Sequence, residues 1–288
     1  MRSSLAATTL LLILGMLFFR TGYSSAQQPN KESFTNSIGI KLMPIPKGKF
    51  MMGSPETELE RNRNEIQHEV TISQNFYMGS TEVTQAQYKK IMGENPSNFQ
   101  GDAVAERHPE TNRVVKEVVS ANHPVEQVSW SYAVEFCQRL SALPEEKKAG
   151  RVYRLPTEAQ WEYACRAGSQ VAYSFGSEEK SLVNFGWYDS NSKLMTHAVG
   201  LKKANAWGLY DMHGNVFEWC ADCYGEYPKG SATDPRGPEV GWRRVRRGGS
   251  WNLDAVYCRS ADRYGDVLSA RRNNLGFRVA LSSSGIPK

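Results

Sequence analysis

The chain has 288 residues, 35 basic against 30 acidic side chains for a formal charge of +5, and 40% hydrophobic, 23% charged and 11% aromatic residues. This balance excludes a disordered, collagen-like or coiled-coil chain and predicts a packed core in one large domain or two small ones. Five cysteines are too few for a disulfide-dense mini-scaffold, and the odd number leaves at least one thiol unpaired if the others pair.

In chain order, Arg2 precedes an apolar stretch from Leu5 to Phe19, followed by the small residues Ser24, Ser25 and Ala26. That order predicts a secretory signal peptide over 1–26; the stretch is short for a membrane anchor, which needs about 20 apolar residues. The expected location is a periplasm or the exterior, an oxidising compartment in which cysteines within reach pair and nucleic acid is not the partner. No transmembrane segment is expected after signal cleavage. Polar residues over 27–36 read as a linker, and the domain is expected over 37–283 with a tail at 284–288.

Strands are predicted at 40–42 and 50–52, around a turn containing Pro44, Pro46 and Gly48, and at 68–72, where apolar and polar residues alternate. Helices are predicted at 84–92, ended by Gly93; at 131–140, with Ala133, Phe136, Cys137 and Leu140 on one face; and at 157–166. The last is the best marked, since Thr157 and Gln160 form a capping box behind Pro156 and Gly168 follows the end. Beyond Gly168 there is no long helical pattern, only turns and a final alternation of Leu275, Phe277, Val279 and Leu281 that reads as a buried strand. The sum is one α+β domain with little regular secondary structure.

Five segments carry a family likeness: His123-Pro-Val-Glu-Gln-Val-Ser-Trp130, Arg154-Leu-Pro-Thr-Glu-Ala-Gln-Trp-Glu-Tyr-Ala-Cys-Arg-Ala-Gly168, Gly208-Leu-Tyr-Asp-Met-His-Gly-Asn-Val-Phe-Glu-Trp219, Arg247-Gly-Gly-Ser-Trp251 and Asn274-Leu-Gly-Phe-Arg278. In this order they resemble the formylglycine-generating, or sulfatase-modifying, enzyme family over nearly the whole mature chain. The resemblance implies a single compact domain related to C-type lectins. It also implies an oxidase that converts a cysteine of a sulfatase, within Cys-x-Pro-x-Arg, to formylglycine with oxygen and a copper(I) ion held by two thiolates, the soft ligands that a soft d¹⁰ ion requires.

In the family the first of those cysteines lies three residues after the serine of Gly-Gly-Ser, and here that place is Leu253. Eight residues after Ser250 stands Cys258, the place of the second. Counting back from Gly276 instead puts the family's arginine at Arg263, which implies a loop shortened by about three residues and sets Cys258 at the place of a structural cysteine bridged to Cys165. The resemblance therefore implies a Cys165–Cys258 disulfide and leaves Cys258, Ser250 and Arg263 as the candidate catalytic residues, with Phe217 where active members carry an oxygen-pocket tryptophan. Cys137 reads as a buried free thiol, and Cys220 and Cys223 as a local disulfide, an inert pair or a redox pair.

The resemblance further implies a structural calcium site from the side chains of Asp211 and Glu218 and the carbonyls of Gly214 and Val216, and a second from Asn184, Phe185 and Asn191. An irregular, glycine-containing loop suits calcium because it can turn successive carbonyls inward. The five histidines, His68, His108, His123, His197 and His213, show no metal-binding spacing. Arg243, Arg244, Arg246 and Arg247 form a basic run whose alternation sends Arg243 and Arg247 to one face of a strand and Arg244 and Arg246 to the other. It reads either as a salt-bridged strand or as an anion-binding surface for acidic glycans or a protein. Three functional readings follow: a calcium-stabilised protein- or glycan-binding module without the standard copper chemistry, an oxidase acting on sulfatases, and a non-haem iron oxidase of the family's other branch.

Overall fold

A computed structural model describes residues 32–100 and 120–282. The expected signal peptide over 1–26, the tail at 284–288 and His108 lie outside them. Among the described residues there are three sheets and five α-helices, none longer than 13 residues, with three short 3-10 helices.

The five-stranded antiparallel sheet runs in the order Phe34–Thr35, Lys41–Ile45, Phe76–Gly79, Ala280–Ser282, Tyr153–Arg154, so both ends of the domain meet in one layer. The linker expected over 27–36 is shorter at its end, because Phe34 pairs with Leu42, packs edge-on against Tyr77 at 5.2 Å and lies under the guanidinium of Arg151 at 4.3 Å. The four-stranded sheet is ordered Arg263–Val267, Arg243–Arg247, Phe217–Cys223, Leu275–Gly276, with the last pair parallel. A smaller sheet joins Gly48–Met52, His68–Ile72 and Ala232–Thr233.

The helices form where local chemistry dictates. Thr84 and Gln87 cap Gln85–Met92 reciprocally, and Gly93 ends it at φ 87°. Thr157 and Gln160 do the same for Glu158–Arg166, but the left-handed residue closing that helix is Ala167, at φ 47°, rather than Gly168. Each reciprocal cap satisfies two backbone donors, and a single cap is worth about 1 kcal/mol. Trp130–Ala142 buries Ala133, Phe136, Cys137 and Leu140, the predicted face. Pro144–Lys148, a short helix with proline in its first turn, has no counterpart in the prediction.

Leu275, Phe277, Val279 and Leu281 are all fully buried, but they do not form one strand. Residues 275–276 join the four-stranded sheet and 280–282 the five-stranded one, and Arg278 and Ala280 between them are buried as well. This segment crosses between two sheets, so both of its faces are covered and the alternation does not divide inside from outside.

Candidate functional site

A cleft of about 620 Å³ opens at one side of the four-stranded sheet. Its wall comprises Phe217 and Arg246 from neighbouring strands, Asn252, Leu253 and Tyr257 from the loop after Gly-Gly-Ser, Tyr264, and the turn carrying Arg271 and Arg272. Leu253, where the family would carry its first copper thiolate, thus faces this cleft and also packs on the main core. An alkyl side chain has no lone pair to offer a metal.

Of the candidate catalytic residues, Ser250 and Cys258 are brought together, the Cys258 thiol meeting the Ser250 backbone N–H, whereas Arg263 lies apart. Ser250 is fully buried behind the wall, its Oγ donating to Asn252 Oδ1 at 2.9 Å and accepting from Asn274 Nδ2 at 3.2 Å. Cys258 is fully buried and absent from the wall, and its sulfur packs so close to Gly249 that a Cβ there would collide with it. Arg263 lies elsewhere, its Nε and Nη2 each 2.7 Å from the two carboxylate oxygens of Glu158. Burial alone would push the Glu158 carboxyl up, but Arg263 and Arg247 outweigh it and hold it low, so Arg263 is a scaffold arginine.

The expected Cys165–Cys258 disulfide is corrected by the structure: all five cysteines are free and buried. The Cys165 thiol lies against His213, and the His213 ring meets the Cys258 backbone carbonyl. Cys165 Sγ lies 3.8 Å from His213 Nε2, 3.6 Å from Ser260 Oγ and 3.7 Å from the Met212 carbonyl. His213 Nδ1 donates to the Cys258 carbonyl at 2.8 Å and its Nε2 accepts from the Ser174 backbone N–H at 3.2 Å, the neutral tautomer; burial lowers its pKa to about 4. Burial pushes the Cys165 thiol up to about 12 and the Cys258 thiol up as well, which disfavours the thiolate at both. Cys137 is the buried free thiol expected, raised to about 12 by burial. Cys220 and Cys223 sit on one strand without a bond between them, and burial raises the Cys220 thiol.

At the first expected calcium site, Asp211, Gly214 and Asn215 all take positive φ, so the loop is as irregular as a carbonyl-turning loop must be. Asp211 Oδ2 accepts from the Gly200 backbone N–H at 2.7 Å, whereas Oδ1 is buried without a partner. Glu218 is more fully engaged: Arg278 grips both its oxygens at 2.6 Å, and Trp161 Nε1 donates at 2.8 Å. A residue that the sequence reading missed completes the group. Glu82 is buried with both carboxylate oxygens unpartnered, and burial and the Asp211 charge raise its pKa. Three carboxylates thus face the one guanidinium of Arg278, and burial pushes Asp211 up to about 6.

Orphaned oxygens in such a place fit a hard cation. Among the described residues no three His, Cys, Asp or Glu side chains converge closely enough to hold a metal by themselves, so backbone carbonyls must supply the remaining ligands. Glu82 sits just before a helix cap, and nothing in its local pattern marks it.

At the second expected site the Asn191 side chain is already engaged, accepting from the Tyr188 backbone N–H at 2.8 Å and donating to the Gly186 carbonyl at 3.0 Å. The Asn184 backbone carbonyl accepts from the Lys203 backbone N–H at 2.9 Å, and the Lys203 ammonium lies 5.9 Å over the Phe185 ring.

The basic run alternates as expected. Arg247 points inward, fully buried, binding Glu162 and the carbonyl of Ala261 at 2.7 Å. Arg244 and Arg246 lie on the other face, over Trp130 and Phe217 respectively, each at 4.1 Å. No helix among the described residues is long and apolar enough to cross a membrane.

Residues 28–283 match the sulfatase-modifying factor enzyme 1-like domain. The chain is 29% identical to a formylglycine-generating enzyme of Mus musculus, covering 83% of this chain and 74% of that one, and 31% identical to chaperone protein LppX of Paenibacillus barcinonensis, covering 63% and 71%. Among solved structures it superposes on Treponema denticola variable protein 1 with a TM-score of 0.74 at 32% identity, over 88% of this chain and 99% of that one. The relatives thus span more than one named role on one α+β, C-type-lectin-like fold. The match over nearly the whole length and the five motifs in order lead to one conclusion: the chain belongs to the sulfatase-modifying factor family.

Proposed function

We propose that this chain is an exported, noncatalytic member of its family, a calcium-braced module that binds a protein or glycan ligand in the cleft beside Leu253 and does not generate formylglycine by the copper route. The observation that carries this reading is the place of Leu253 on the cleft wall while Cys258, fully buried, stays out of it. One thiol outside the cleft cannot make a two-thiolate site, and a fold shared with an oxidase does not transfer its chemistry. Calcium is supported by the orphaned oxygens of Asp211 and Glu82; bound there it would stabilise the folded state without taking part in a reaction. The absence of the copper pair equally removes the support for sulfatases as substrates.

The test incubates the purified protein with copper(I), oxygen and a peptide containing Cys-x-Pro-x-Arg and reads the peptide by mass spectrometry. The peptide is expected to keep its cysteine. Formylglycine that disappears in Cys258→Ser would defeat the reading.

A further inference from the structure

Three arginines and no carboxylate line the cleft, and their engagement is unequal. Arg272 is paired with Asp266, at 2.5 Å from Nε to Oδ2 and 3.2 Å from Nη2 to Oδ1. Arg246 shares the same carboxylate more loosely: its Nε lies 3.8 Å from Asp266 Oδ2 and is buried without a hydrogen bond. Its side chain is only 17% exposed, and the guanidinium plane lies 4.1 Å over the Phe217 ring and 5.3 Å over Tyr264. A buried donor without an acceptor costs about 1–3 kcal/mol. Two aromatic faces hold this one oriented, and a planar fork is the shape that meets a carboxylate through two parallel bonds.

The rest of the wall has a second character. Gln127, Asn273 and the phenols of Tyr257 and Tyr264 are groups that both donate and accept. Vicinal sugar hydroxyls do the same, so amides and phenols around a fixed guanidinium suit a sugar that carries an acid group. An extended peptide finds less here, since Phe217 and Arg246 lie on strands already paired on both sides and a further strand cannot be added to them. A polyphosphate would be served by a cradle of backbone N–H groups with lysines, and no lysine lines this cleft.

We propose that the cleft binds an acidic glycan, with a uronic acid carboxylate seated on Arg246 and the sugar hydroxyls on Gln127, Asn273 and the two tyrosines; this rests on the reading of the cleft as a binding site. Arg271, exposed at the rim, adds charge that draws the ligand in and is screened by salt.

Isothermal titration of the full chain with trigalacturonate tests this, beside its methyl ester, hexaglutamate and tripolyphosphate. Trigalacturonate is expected to bind, with the ester at least tenfold weaker and the peptide and polyphosphate weaker than trigalacturonate. Arg246→Gln is expected to weaken trigalacturonate at least tenfold and Arg271→Gln about threefold. Arg246→Lys keeps a charge on the strand but loses the fork, and is expected to weaken binding at least threefold, which covers the case of a Gln variant that does not fold. No trigalacturonate binding, equal binding of the ester, tighter binding of hexaglutamate or tripolyphosphate, or unchanged affinity in the foldable Arg246 variants would each overturn the proposal. Formylglycine in the copper assay defeats the underlying reading instead, whatever the glycan affinity.

Discussion

Arg246 and Arg247 are consecutive residues of one strand, yet they belong to two regions with opposite electrostatic designs. On the inner face Arg247 meets Glu162, which also accepts from Arg166 Nε at 2.8 Å and from the Gly53 backbone N–H at 2.8 Å, while Glu158 is gripped by Arg263. Arg247, Glu162, Glu158 and Arg263 each have a counter-charge and hydrogen bonds, as a buried charge must. On the outer face Arg246 rests on aromatic rings with its fork open to the cleft. The difference teaches that charge alone does not mark a site. Loosely paired charge facing a concavity does, and alternation along a strand is enough to separate the two.

The largest test of that division is stability. Arg247→Met or Glu162→Gln strands a buried partner and is expected to cost about 3–5 kcal/mol in urea unfolding. Arg246→Gln leaves its partner Asp266 still paired with Arg272 and is expected to cost less than about 1 kcal/mol, so equal losses at 246 and 247 would erase the contrast.

Next in size is calcium, since a ligand at a hundred times its Kd stabilises the folded state by about 2.7 kcal/mol. Calcium is expected to raise the melting temperature of the wild type, and Glu82→Gln and Asp211→Asn to abolish the rise. Asn191→Ala should keep the full response; a response lost there and retained in Glu82→Gln would move the site to the other loop.

A smaller effect concerns Glu126, buried near the cleft's Gln127, which burial pushes up to about 7. Its Oε1 accepts from the Phe99 backbone N–H at 2.8 Å, and Oε2 has no partner. The folded chain holds this proton more tightly than the unfolded one. Its contribution is therefore complete below the ordinary carboxylate pKa and is lost as pH rises through about 7, each tenfold difference in proton affinity being worth about 1.4 kcal/mol. Denaturation at pH 5 and pH 8 should show the wild type losing stability over that interval relative to Glu126→Gln. Parallel profiles would show that the group does not titrate there. The smallest effect is expected at the exposed pair of Arg139 and Glu135, 2.6 Å apart one helical turn along, where Arg139→Ala should cost no more than about 0.5 kcal/mol.

The helices were legible because their signals are local. Thr84 with Gln87 and Thr157 with Gln160 act within four residues, and the structure keeps both boxes. Sheet membership was less so: Phe34–Thr35 is two residues long and has no periodicity, and 275–281 is buried on every side between two layers. At the site, motif spacing placed Leu253 and brought Cys258 beside Cys165, but whether two neighbouring sulfurs are bonded is not written in spacing. Glu82 and the turn bearing Arg271 and Arg272 escaped notice because their meaning comes from what long-range packing sets opposite them. Arg246 was visible as charge, and only its loose pairing and its place on the cleft wall make it a candidate ligand contact.

Whether the cleft beside Leu253 can hold a two-thiolate copper site is tested most directly by titrating the reduced, purified chain into a copper(I)–bathocuproine disulfonate complex and reading the chelate's absorbance. No loss of absorbance beyond that of a Cys258→Ser variant is expected. Withdrawal of one copper ion per chain by the wild type, and not by that variant, would contradict the noncatalytic reading at its centre.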